Sequence, residues 1–165
     1  MGILRSVYFD VARDVDLYEG LPVSTQKAKY AATVKPWTIT CLAASIAIVI
    51  GSLGPWVTIF AFSQNGTEGD GAITVALGGL AALLSVVVIV REGRALLGDR
   101  YITPLLALVV SIIALYDVAN VGNTKGNFMG AQIGPSVGWG LWLVLIGGLT
   151  LLAASILVAA KGKNL

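Results

Sequence analysis

The sequence predicts an all-α polytopic membrane protein: a four-transmembrane-helix bundle built of two similar hairpins, with an N-terminal amphipathic helix. Three observations predict it. Four long stretches, Pro36–Thr67, Gly71–Val90, Tyr101–Tyr116 and Gly126–Ala160, carry no charged residue. The 165-residue chain is 56% hydrophobic and 12% charged, with a mean hydropathy of +0.85. Soluble domains carry about 25% charged residues, so this chain has too little polar surface to face water throughout. Finally, the basic residues are distributed as a multispan protein distributes them, on alternate connections.

Residues 1–36 read as a cytoplasmic segment. Within them Ile3, Leu4, Val7, Tyr8, Val11, Val15 and Tyr18 recur at helical spacing, and Gly20 and Pro22 mark a stop. This predicts a short amphipathic helix over 2–19. Its two arginines face four acids (Asp10, Asp14, Asp16, Glu19), which is a poor match to anionic lipid. The helix therefore suits packing beneath a bundle or onto a protein. Residues 1–30 lack a continuous apolar core, so the first span is expected to serve as an uncleaved signal-anchor.

The transmembrane domain is placed at 37–160, because a spanning helix needs about 20 apolar residues. Its spans are placed at about 37–62, 72–90, 101–120 and 136–160. Gly54-Pro55 interrupts the first and is expected to kink or end it. Trp56 then suits the outer membrane interface, and Trp139 and Trp142 repeat that pattern at the start of the fourth. Pro104 falls in the first turn of the third, where proline is tolerated. Residues 161–165 form a tail.

Orientation follows from Lys and Arg. Of 11 such residues, all but Lys125 fall in the N-terminal segment, the connection between spans two and three, or the tail. Both termini are thus expected to be cytoplasmic. The connections 54–71 and 117–135 would face outward.

Gly69–Leu83 aligns without a gap on Gly138–Leu152. Gly69, Gly71, Val75, Gly78, Gly79, Leu80 and Leu83 meet Gly138, Gly140, Val144, Gly147, Gly148, Leu149 and Leu152. This predicts a duplicated helical hairpin. Small residues also recur every fourth position at Ala43, Ala47 and Gly51, and at Gly78 and Ala82. Between helices in lipid, close van der Waals contact must supply the attraction, and small side chains permit it.

Chemistry-bearing residues are few. There is no His, and Cys41 is the one cysteine. No nucleophile–base pair, metal-ligand spacing or phosphate loop is present, so no catalytic residue, cofactor or metal is expected. A net charge of +2 gives no nucleic-acid signal. Two acids lie at span ends. Asp70, between two glycines, suits the N-cap of span two, with an ion or ligand contact as the alternative that makes it a polar-site candidate. Asp117 lies near the outer end of span three, where an ionisable side chain is a polar-site candidate. The expected partner surfaces are Val7, Val11 and Val15 on the first helix and the outer connections around Trp56 and Phe128.

The elements Gly54-Pro-Trp56, Gly69-Asp-Gly71 with Gly78-Gly79, and Gly138-x-Gly140 with Gly147-Gly148 resemble small four-pass membrane proteins of mycobacteria and their phages. The resemblance covers roughly residues 40–155. It implies a bacterial plasma membrane and carries over no functional residue. The function expected is that of a non-enzymatic accessory or interaction protein of the inner membrane, in a phage an envelope modifier or superinfection-exclusion factor. Its expected partners are the lipid bilayer and another membrane protein or further copies of the chain. The alternatives are a holin-type pore-former and a small channel or transporter subunit.

Overall fold

A computed structural model describes residues 23–59, 62–91, 99–123, 126–128 and 131–161. Helix α1 (Val23–Thr33) leads into α2 (Lys35–Leu53), followed by strands β1 (Pro55–Ile59) and β2 (Phe62–Asn65) and a 3-10 turn. Then come α3 (Gly71–Val90), α4 (Asp99–Asn123), strands β3 (Gly126–Phe128), β4 (Ala131–Ile133) and β5 (Ser136–Val137), and α5 (Trp139–Lys161). The helix predicted over 2–19, with Val7, Val11 and Val15, lies outside the described residues.

Four helices are long and apolar enough to cross a membrane: Lys35–Leu53, Gly71–Val90, Tyr101–Val121 and Trp139–Lys161. At 1.5 Å per residue the 19 residues of α2 reach about 28 Å, close to the hydrocarbon thickness of a bilayer. The large side chains Ile46, Ile50, Leu83, Val90, Leu105, Ile112 and Ile146 point away from the bundle and are exposed. A helix that is apolar on its outer face as well as its inner one is matched to lipid.

Three predicted boundaries are corrected. The first span ends at Leu53, at the expected Gly54-Pro55 interruption, rather than running on to residue 62. Gly54 is extended (φ −79°, ψ 175°), as a residue before proline prefers, and Pro55 has no amide to continue the helical ladder. Pro55–Ile59 becomes a strand instead. The fourth helix starts at Trp139, because Ser136–Val137 pairs with β1 as β5. Helix α4 also begins at Asp99, so Pro104 sits in its second turn rather than its first.

Strands β2, β1 and β5 form an antiparallel sheet in that order, with Val57 opposite both Gln64 and Val137. Ser136 Oγ donates to the carbonyl of Thr58 at 3.1 Å. Strands β3 and β4 form a second antiparallel pair, Gly126 opposite Ile133. The sheet caps one end of the bundle, the sheet end. At the opposite end α1 packs on α2, with Val34 and Tyr30 buried. The Tyr30 hydroxyl donates to the carbonyl of Val88 on α3 at 3.4 Å.

Helix α2 packs extensively on both α3 and α5, and α5 packs as extensively on α4, while the α3–α4 seam is slighter. The centre of the α2 packing is Ile48, fully buried. A Cβ placed on Gly78 of α3 would stand 2.8 Å from Ile48 Cγ2, and one on Gly147 of α5 would stand 3.0 Å from Ile48 Cγ1. The same isoleucine thus fills a glycine notch on each side. Nearer the sheet end the backbones of α2 and α5 touch: a Cβ on Gly51 would lie 2.7 Å from the carbonyl oxygen of Gly140.

The buried serine hydroxyls within the spans are satisfied locally. Ser45, Ser52, Ser85 and Ser111 each donate to the carbonyl four residues back, at 2.7–2.8 Å. This is the usual way a hydroxyl is carried inside a helix without leaving an unpaired donor in an apolar medium. One hydroxyl pair crosses helices: Ser52 Oγ on α2 and Thr74 Oγ1 on α3 are 2.7 Å apart.

Candidate functional site

The sequence places its outward candidates at the sheet end, and the structure treats them differently. Trp56 is not an exposed anchor or contact surface. It is buried, 6% exposed, and its indole Nε1 donates to the carbonyl of Gly51 at 3.1 Å. The backbone around it is pinned as well, with the amide of Gly138 donating to the carbonyl of Trp56 at 2.7 Å. The ring lies under the connection that passes through Gly66, where there is no room for a side chain. Pro55 turns the chain back over the helix end, and that reversal carries the indole inward. Trp139 and Trp142 are the exposed indoles of this end, at 57% and 47%. Their position at the start of a span matches the belt in which such rings sit at headgroup depth. Phe128 closes strand β3 in the second connection, opposite Ala131.

Asp70 does hold the N-cap position of α3, but its side chain makes no capping hydrogen bond. The reason is local. A capping side chain reaches the free amides from an extended backbone, whereas Asp70 is already helical (φ −69°, ψ −9°). Its backbone carbonyl takes that part instead, accepting from Ile73 and Thr74 at 3.0 and 3.2 Å. The carboxylate is left exposed beside the positive end of the helix dipole.

Asp117 is half-buried on α4, and its Oδ2 is buried without a hydrogen-bond partner. The packing of α3 beside α4 puts Asp70, at the start of α3, and Asp117, towards the end of α4, at the same end of the bundle. Two carboxylates far apart in the sequence therefore share one mouth of the bundle. Among the described residues no three His, Cys, Asp or Glu side chains gather into a metal-binding group.

At the α1 end, Lys161 Nζ lies 4.9 Å from the centre of the Trp37 ring, a cation–π contact that ties the end of α5 to the start of α2. Sequence reasoning passes over the hydroxyls at this end: Thr38, Ser85, Thr103 and Ser155 are all buried. Their signal is one hydroxyl per span at matching depth, visible only once the four spans are laid side by side. No family model, curated protein or solved structure matches the chain. The fold and the sites above define a helical, multi-pass membrane protein with four spans.

Proposed function

We propose that the chain is a non-enzymatic accessory or interaction protein of a bacterial plasma membrane, with both termini cytoplasmic. The observation that carries this reading is the filled interior. Ile48 is wedged between Gly78 and Gly147, and Trp56 and the β2–β1–β5 sheet close the end beyond it. A bundle closed in this way at its centre and its sheet end offers no continuous wetted path from one side of the membrane to the other, so its working surfaces are the ends and the outer faces. The one-sided distribution of Lys and Arg supports a cytoplasmic α1 end. The matched glycines of α3 and α5, each set on one face of Ile48, support descent from one duplicated hairpin.

The test is induced expression in a bacterial host with a potential-sensitive dye. The reading expects the membrane potential to hold while the protein accumulates in the membrane. Rapid collapse would overturn it in favour of the holin-type pore. A reporter fused after Leu165 is expected to be cytoplasmic, and an external reporter would refute the orientation.

A second reading, a small channel or transporter subunit, is favoured by one observation: the unpartnered Oδ2 of Asp117 at the same end of the bundle as Asp70. It requires a cation flux in proteoliposomes that falls when Asp70→Asn and Asp117→Asn are combined. Flux that is absent, or indifferent to both changes, dismisses it.

A further inference from the structure

A cavity of about 30 Å³ lies between the spans at the α1 end, partly enclosed and lined by residues of all four, Thr38 and Cys41, Ser85, Thr103 and Ser155 among them. Each lies near the end of its span on this side. The hydroxyl protons on three of the helices are committed elsewhere. Thr38 donates to the carbonyl of Val34 at 3.2 Å, Ser85 to Ala81 at 2.8 Å and Ser155 to Leu152 at 2.9 Å. A hydroxyl whose proton is engaged has only lone pairs left to offer. The cavity therefore asks for a hydrogen-bond donor.

Two kinds of donor-bearing or oxygen-seeking ligand suit acceptor oxygens: water and a small monovalent cation. Charge decides between them. Among the described residues no carboxylate lines the cavity, and an ion stripped of its hydration without a counter-charge is far costlier to bury than a neutral molecule. A water molecule needs two to four polar partners and about 10–15 Å³ of such volume, so the cavity has room for about two. From this geometry we infer that the cavity is a hydration site of the four-span bundle, holding exchangeable water reached from the α1 end. Water there bridges the four helices through their hydroxyl oxygens. It also wets the only thiol in the chain, Cys41, which is otherwise buried.

That single thiol makes the inference measurable. The protein is reconstituted in bilayers and transferred to deuterated buffer, and the S–H stretch of Cys41 is followed by infrared spectroscopy as it converts to S–D. The expected result is exchange that is complete before the slowest backbone amides begin to exchange. Thr103→Val removes one polar lining group at constant shape, and Ser85→Val fills space. Each is expected to slow S–H exchange by at least about tenfold, because the thiol then waits for local opening of the bundle. Ala43→Val adds comparable bulk on the exposed side of α2 and is expected to leave the rate unchanged. Thr103→Val alone decides the matter should Ser85→Val fail to insert. The inference is overturned by a wild-type S–H signal that persists as long as the slowest amides. It is equally overturned by exchange that is fast and indifferent to Thr103→Val.

Discussion

Helices α3 and α5 carry the same glycine motif and use it to different extents. Gly78 and Gly147 both receive Ile48 of α2. The next residues part company. A Cβ on Gly148 would meet Ser111 Oγ of α4 at 2.9 Å, whereas one on Gly79 would meet nothing within 4 Å. Helix α5 is therefore notched on two faces and sits between α2 and α4, while α3 is notched on one and leaves the other to lipid. Burial follows: 39% of the α5 span is inside the bundle against 28% of the α3 span. The lesson is that a Gly-Gly pair in a membrane helix marks capacity for close approach, and the neighbour decides whether the capacity is used.

The largest expected effect comes from the residue both helices share. Ile48→Ala empties both notches at once. In lipid the transfer contribution is small, since the tails are as apolar as the side chain, and the loss is mainly van der Waals contact. A destabilisation of about 2 kcal/mol is expected, at the low end of such substitutions in water. Unfolding in mixed micelles, read from the tryptophan fluorescence of the chain, measures it. A change below about 0.5 kcal/mol would mean Ile48 is not the wedge described.

Next is a substitution confined to α5. Gly140→Val would push a side chain into the carbonyl of Gly51, whose oxygen stands 2.5 Å from where the new Cβ would sit, and into the backbone of Gly54 and Pro55. Backbone cannot rotate away as a side chain can. The expected cost is about 1–3 kcal/mol with separation of α2 from α5, checked by a drop in thermal stability in the same micelles.

The smallest of the three is made on α2 and concerns its contact with α3 alone. Ser52→Ala removes the hydroxyl pair with Thr74. Interhelical hydrogen bonds in membranes average about 0.6 kcal/mol, because the separated helices find other partners. Retention of the fold with a loss of that order is expected. A loss above about 2 kcal/mol, comparable with the Ile48 change, would show that α3 depends on polar contacts more than on its notch.

Much of this is legible in the sequence. The spans are, because hydrocarbon excludes charge and the four charge-free stretches say so directly. The paired glycines are, because their repeat survives in a background of aliphatic residues. The stripe Ala43–Ala47–Gly51 holds only at Gly51, which is buried against Gly140; Ala43 is exposed and Ala47 only half-buried, while Cys41, Ala44, Ser45 and Ile48 continue the inward face. Smallness alone does not mark the interface on α2, because at its centre α2 supplies the knob, Ile48, and its neighbours supply the holes. The strands are hidden for a different reason. Trp56-Val-Thr-Ile59 is as apolar as a span, and hydropathy cannot separate a short buried strand from the end of a long helix. Gly54-Pro55 holds the missing information. Pairing of β1 with β5, 78 residues away for Thr58 and Ser136, is a tertiary fact that no local pattern contains.

The contrast between the two helices is tested most directly by one pair of proteins measured side by side. Gly79→Leu and Gly148→Leu make the same chemical change at matched positions of the repeat. Gly79→Leu is expected to unfold within about 0.5 kcal/mol of the unaltered chain, its new side chain lying in lipid. Gly148→Leu is expected to lose about 1–3 kcal/mol as α4 is forced from α5. Equal losses, or a greater loss from Gly79→Leu, would contradict the account.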